Sequence, residues 1–306
     1  MAPMGVVGVR LAVLGALSAL VLWVPRVGSF TAQPPRRRLA LRRPSSPSGT
    51  PPASREDAKQ ALLDAIHAFD QAQTRDGKEA VDFGVEGGEL DKDSRRPRNL
   101  SEGWYAISED VGKAGEKVLD AVDSLAQFNP TADPTRFFGT PEGLRCPLHG
   151  GWRLLFTTAA DASFSSNSSR GDAMAMNVVN AVKGEITNII NFTPGEDGRP
   201  RALEQLRVKI KATALSDKRI GLVFRYAKAR LTKFLFLPLF GRRITLTIPV
   251  PAPLISRIIF FFTRKEVPKP FFELLYLDGD MRVHRTDAGN LFIQKRPDWG
   301  TGALAA

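Results

Sequence analysis

Two regimes of apolar spacing divide the chain near Pro134. Upstream, Ala58, Leu62, Ala65, Ile66 and Phe69 recur at three- and four-residue intervals. That spacing predicts a helix over 56–74 with one apolar face, Ser54 as its cap and Asp76-Gly77 as its stop. Val111, Val118, Val122 and Leu125 predict a second helix over 109–126, capped by Ser108. A helix with a single apolar stripe must bury it, here on the other helix or on the domain downstream. Between them, 76–103 is rich in Gly, Asp and Glu, carries the basic run Arg95-Arg96-Pro97-Arg98, and reads as an irregular loop. Downstream, β-rich runs at 152–158, 186–192, 203–212, 219–227, 242–248, 271–277, 281–285 and 290–294 alternate with turn residues. Such spacing suits an antiparallel sheet that closes on itself. Leu206, Val208, Ile210 and Ala212 alternate with Arg207, Lys209 and Lys211, giving one dry and one wet face. Asp278-Gly279 between two apolar runs predicts a two-residue hairpin turn. Residues 173–182 read equally as a short helix or a strand.

Two stretches frame the strand region. Gly150-Gly151-Trp152-Arg153-Leu154-Leu155-Phe156 opens it, and Tyr276-Leu277-Asp278-Gly279-Asp280-Met281-Arg282-Val283-His284-Arg285, followed by Asn290-Leu291-Phe292, closes it. Phe128-Asn129-Pro130-Thr131 precedes the first. Over about 129–293 these motifs resemble the plastid lipid-associated proteins, also called fibrillins. The resemblance implies a β-rich (α+β) fold: an antiparallel lipocalin-like β-barrel that holds apolar molecules, preceded by two N-terminal helices and a disordered leader. It also implies that Gly150 and Trp152 sit at the closed end, with Asp278 in the last hairpin and an arginine, Arg282 or Arg285, lying across the indole. Such a stack contributes about 0.5–2 kcal/mol and seals the core from water. An eight-stranded barrel holds its own side chains or one slender ligand. Candidates for its interior are Phe156, Ile190, Phe192, Leu206, Val208, Ile210, Val223 and Leu275.

The first fifty-odd residues read as a leader. An apolar run over 11–24 ends at Pro25-Arg26, too short to span a bilayer and suited to a signal peptide, with cleavage plausible before Phe30. An Arg- and Ser-rich stretch without acid follows, as in a transit segment, and the two together resemble the leaders of algae with secondary plastids. The expected division is 1–29 signal peptide, 30–54 transit segment, 55–127 helical region and 128–298 barrel. Cys146 is the sole cysteine, so no internal disulfide can form, which argues against a secreted protein and for a plastid. Eight of the charges behind the net +11 are arginines of residues 1–55, so the mature chain is only about +3 and its basicity does not indicate nucleic acid. The remaining charge is uneven, acidic over 56–142 and strongly basic over 205–266.

The most apolar part of the mature chain is Phe234-Leu235-Phe236-Leu237-Pro238-Leu239-Phe240 with 254–262. Gly241-Arg242-Arg243 and three prolines interrupt it, so it does not read as a transmembrane helix. It is either buried strand and loop or an exposed rim whose Phe234, Phe236, Phe240, Arg242 and Arg243 face a lipid surface. Catalytic chemistry is poorly represented. His67, His149 and His284 are scattered, no zinc spacing or phosphate loop is present, and Asp278, Asp280 and Asp287 suit turns better than a metal. No cofactor and no metal are expected. The function implied is a non-enzymatic plastid lipid-associated protein. It would bind or carry prenyl quinones, carotenoids or other lipids at thylakoid or plastoglobule surfaces. Its partners would be hydrophobic small molecules and a plastid membrane or lipid droplet. The alternative is an accessory subunit that delivers isoprenoid substrates to a plastid biosynthetic enzyme, with the acidic helices as the docking surface for that protein partner.

Overall fold

The structure, a computed structural model, describes residues 52, 54–76, 104–105, 107–158, 173–192, 203–234, 237–238, 243–249, 270–287 and 289–297. Apart from Pro52 and Ser54, the expected leader lies outside them. They fall in two compact units, one helical and one of strands.

In the helical unit α1 spans Arg55–Arg75 and α2 spans Glu109–Ala126, close to the expected bounds. Ser54 accepts from the Asp57 N–H at 3.2 Å and Ser108 from the Val111 N–H at 3.1 Å, each satisfying an otherwise orphaned donor. Glu56, Asp57, Glu109 and Asp110 set negative charge against the positive helix ends. The apolar stripes are buried as their spacing requires, Leu62 and Phe69 on α1 and Val111, Val118, Val122 and Leu125 on α2. The end of α1 is tied to the start of α2. Arg75 reaches Asp110 at 2.6 Å, and the Ser108 hydroxyl donates to Asp76. The Arg75 guanidinium, and after it the Ser108 hydroxyl, hold the Asp76 carboxyl down to about 2. Two glycines of α2 seat two aromatic rings. A Cβ on Gly115 would stand 2.2 Å from the Trp104 indole, and one on Gly112 would stand 2.3 Å from the Tyr105 ring. Trp104 in turn meets Phe69 of α1 edge-on, with centroids 5.4 Å apart.

The strand unit runs β1 (Gly150–Thr157), β2 (Ala173–Asn180), β3 (Glu185–Phe192), β4 (Leu203–Ala214), β5 (Arg219–Leu231), β6 (Lys233–Phe234), β7 (Leu237–Pro238), β8 (Ile244–Pro249), β9 (Phe271–Leu277), β10 (Met281–Thr286) and β11 (Leu291–Lys295). Nine of these form one antiparallel sheet in the order β4-β3-β2-β1-β11-β10-β9-β5-β8, while β6 and β7 pair with each other. Because β5 also pairs with β4, the sheet curves into a ring, with β8 outside the circuit. The β4–β5 hairpin is the tall wall, in register from Leu203↔Leu231 to Ala214↔Ile220. The β5–β9 seam spans only Arg219↔Glu273 to Gly221↔Phe271, and beyond it β8 takes the β5 edge from Tyr226 to Leu231. The ambiguous stretch after Ala173 is strand β2. Its alanines and asparagines have little strand propensity of their own, and pairing to β1 and β3 on both edges decides it.

One end of the ring is plugged. Trp152, Val179, Ala181, Ile186, Ile210, Ala212, Ile220, Leu274 and Leu277 pack there with Phe138, Cys146 and Leu148 from the segment that precedes β1. That segment is fastened beneath the sheet. Thr131 Oγ1 donates to the Leu277 carbonyl at 2.6 Å, Thr135 Oγ1 to Ser216 at 2.8 Å, and the Gly139 N–H to Ala181 at 2.6 Å. Burial raises the Cys146 thiol, leaving it a small core residue rather than a nucleophile.

Gly115→Ala separates propensity from packing. Alanine favours a helix over glycine by about 1 kcal/mol, whereas displacing the Trp104 ring costs about 1–3 kcal/mol. Net destabilisation is expected, read as a lower midpoint in urea unfolding followed by circular dichroism. A raised midpoint would show that Trp104 does not hold the helices.

Candidate functional site

The base of the ring is organised around Trp152, which is fully buried and donates from Nε1 to the Leu148 carbonyl at 2.9 Å. Two arginines lie against the indole, the Arg282 guanidinium carbon 5.0 Å and that of Arg296 3.8 Å from its centre. Arg282 is buried at 1% exposure. Its Nε and one terminal nitrogen donate to Gln294 Oε1, the Nε contact at 2.8 Å, and the same terminal nitrogen donates to Asn177 Oδ1 at 2.7 Å. Asn177 passes a bond on to Asn188 of β3. Among the described residues Arg282 meets no carboxylate, and its other terminal nitrogen has no partner. Burial, and secondly the charge of Arg296, lower it to about 9, so it stays protonated at neutral pH. Arg296 ties down the chain below it by donating to the carbonyls of His149 at 2.7 Å, Pro147 at 3.1 Å and Gly151 at 3.3 Å.

Gly150 takes φ +113°, and a Cβ there would stand 2.5 Å from an Arg296 terminal nitrogen. Both conformation and space therefore demand glycine at that position. Of the two arginines expected over the indole, Arg282 takes that place, while Arg285 is exposed and in register with Leu291 and Glu273. Arg296 was not foreseen. It shares parity with Gln294 one step beyond the last strand, and that continuation was the available signal. Asp278 serves its turn: its Oδ1 accepts from the N–H groups of Asp280 at 3.0 Å and Met281 at 2.8 Å, and Tyr276 donates to its carboxylate. Gly279 is not among the positive-φ glycines; the Asp278 N–H donates to the Met281 carbonyl at 3.0 Å, so Gly279 and Asp280 form the two-residue connection, and the Asp278 side chain rather than a positive φ at Gly279 holds it.

His284 also faces inward, parallel to the Phe292 ring at 5.1 Å and tilted against Phe272 at 4.6 Å. Its Nδ1 has no partner among the described residues. Burial first, then the Arg282 charge, push it well below the usual imidazole range, so it is neutral. Asn177, Asn188, Gln294, Arg282 and His284 thus form a polar layer across the interior. Below it lies the plugged base. Toward the other end of β4 and β5, Leu206, Ala227, Ala229 and Leu231 form a second apolar cluster with Ile190, Phe192, Leu203 and Ile248. Val208 and Phe224 touch both clusters.

Ile190, Phe192, Leu206, Val208 and Ile210 belong to these inward clusters. The other three interior candidates are placed elsewhere by register. Val223 pairs with Lys211 on the outer face, because Leu222 and Phe224 are the inward residues beside it. Leu275 falls at a β-bulge between Leu274 and Tyr276, and Phe156 follows a bulge that aligns it with Ile293 rather than with inward Gln294. Phe156, Ile293, Val283 and Tyr276 form one buried cross-strand row on the outer face. Of the membrane-facing candidates, the side chains of Phe234, Phe236, Phe240 and Arg242 lie outside the described residues. Arg243 is exposed and bonds Glu204 at 2.7 Å. On the outer face of β2–β5 a groove of about 370 Å³ runs over Val178, Ile189, Arg207, Lys209, Tyr226 and Lys228.

The family model described as PAP_fibrillin matches residues 100–295 of this chain. No curated protein and no solved structure matches it.

Arg296→Met keeps an apolar stem on Trp152 but removes the hydrogen bonds to the carbonyls of Pro147, His149, Gly151 and Gly279. A loss of about 2 kcal/mol or more is expected in urea unfolding monitored by tryptophan fluorescence. An unchanged midpoint would show that Arg282 alone secures the plug.

Proposed function

The chain belongs to the PAP_fibrillin family, and from that premise we propose that its ring stores or carries one apolar molecule at the surface of a thylakoid or plastoglobule. Membership makes it a plastid lipid-associated protein, of a family generally structural rather than catalytic. The observation that carries the finer reading is the unequal filling of the interior. At the base, Trp152, Val179, Ile220 and Leu274 are at most 1% exposed. Toward the other end, inward-facing Ile190, Phe192, Val208 and Phe224 keep part of their surface in contact with solvent. Apolar side chains that point inward and stay partly wetted line room that a hydrophobic guest can fill, and each buried methylene of such a guest contributes about 0.8 kcal/mol.

Prenyl quinones and carotenoids fit this description, being long, slender and apolar. No group of side chains suited to a metal is found among the described residues, and Cys146, whose thiol burial pushes up, lies in the plugged base. The neutral His284 and the amide-bound Arg282 act there as fixed dipoles and charge rather than as proton carriers.

Lipid extracted from the purified chain and analysed by mass spectrometry should contain such a molecule, and lipid-free protein should bind added plastoquinone or β-carotene with quenching of Trp152. Leu206→Trp, which fills the upper cluster, should lower that binding about tenfold or more while the unfolding midpoint moves little. Protein that comes out free of lipid and takes up neither compound would remove the carrier function.

A further inference from the structure

We propose that the outer face of β3, β4 and β5 is a seat for the anionic head group of a membrane lipid, and that it orients the ring on that membrane. This rests on the plastid-lipid reading above but concerns a different face of the sheet. Arg207 of β4 and Lys228 of β5 stand directly opposite each other in register, with Thr247 of β8 next in the row. Like charges directly opposed on one face disfavour a strand pair, and an anion bound between them would relieve that repulsion. Lys209 lies one step along the same face and Arg230 one step the other way. The groove of about 370 Å³ and an adjoining one of about 200 Å³ share Arg207 and Lys228, and no carboxylate lines either among the described residues. Lys209 pairs with Glu185 at 2.8 Å, with both side chains about a quarter to a third exposed (26% and 30%).

The lining selects the class of anion. Val178, Ile189 and Tyr226 form an apolar wall beside the cations, so the groove presents charge and grease together. A free inorganic anion uses only the charge, and a nucleic acid would need a long cationic track rather than a short groove. A phosphate diester or sulfonate joined to a glycerol and the start of an acyl chain uses both. Arg207 is already oriented by its bond from Nε to Gln205 Oε1 at 2.6 Å, and Lys228 lies over the Tyr226 ring at 5.4 Å, so neither cation must be ordered wholly on binding.

The full chain should sediment with vesicles of phosphatidylcholine and phosphatidylglycerol in equal parts at least about tenfold more strongly than with phosphatidylcholine alone. Arg207→Gln and Lys228→Gln should each weaken that binding about fivefold. Lys117→Gln, which removes the same charge from the exposed side of α2, should leave it unchanged. Both groove residues reach the surface, so circular dichroism melts of the variants should match the parent. Equal binding to the two vesicle types, equal loss with Lys117→Gln, or full competition by inorganic phosphate would each overturn the lipid assignment. β-Carotene uptake measured on the same variants should be unaffected, which separates failure of this seat from failure of the carrier function.

Discussion

Arg282 lies across the Trp152 indole at 1% exposure and meets no carboxylate among the described residues, so neutral dipoles must solvate a full charge. Removing a guanidinium from water costs several kcal/mol even after local relaxation. What offsets that cost here is specific. Amide oxygens of Gln294 and Asn177 accept from it, each bond to a charged group contributing about 1.5–3 kcal/mol, and the indole face adds a smaller share. Those acceptors come from β11 and β2, on either side of the strand that carries Trp152. The charge therefore joins β10 to β11 and to β2 across the strand that carries Trp152. Arg296 completes the plug from outside the last strand, and Gly150 supplies the space for it.

This arrangement divides the interior. Below the layer of Arg282, Gln294, Asn177 and Asn188, side chains are packed to exclusion. Beyond it, inward apolar groups of β3, β4, β5 and β8 form a second cluster in which Ile190, Phe192, Val208 and Phe224 stay partly exposed. A polar layer is a poor place for an apolar guest, because the guest would have to leave amides or a guanidinium unpaired. Any apolar cargo is thereby confined to the region on the far side from Trp152. Holding that indole is a structural task, and the carrier reading proposed above puts its guest beyond it.

The parts of this architecture legible in the sequence were those written in periodicity. Both helices announced themselves through a cap and a 3.6-residue stripe, and β4 through strict alternation from Leu206 to Ala212. Trp152 and Arg282 were reached through the motifs that resemble the family. Alternation failed wherever a bulge added a residue. One such irregularity follows Leu154 and turns Phe156 outward, and another at Leu275 moves Tyr276 into line with Val283. A bulge leaves no compositional mark, since its cause is the partner strand's register. Asn177, Asn188, Gln294 and His284 were passed over for a related reason. Taken singly, each is an ordinary polar residue in a strand, and only the pairing of β3, β2, β1, β11 and β10 side by side brings them to one buried charge.

The same alternation that hides apolar side chains also displays charge. Along β4 each inward step is followed by an outward one, Leu206 then Arg207, Val208 then Lys209, Ile210 then Lys211. Opposite them β5 sets Ala227 and Ala229 inward between outward Lys228 and Arg230. Ala227 and Ala229, both buried, lie behind the part of the outer face that is most cationic. The proposed guest and the proposed anion would thus meet one hairpin from its two faces, separated by the thickness of a single sheet. A guest that bends this hairpin would alter the spacing of Arg207 and Lys228, and an anion that draws those two together would act back on the space within. The β5–β9 seam, only three residue pairs long, gives this wall a narrower attachment to its neighbour than β4 gives it on the other side.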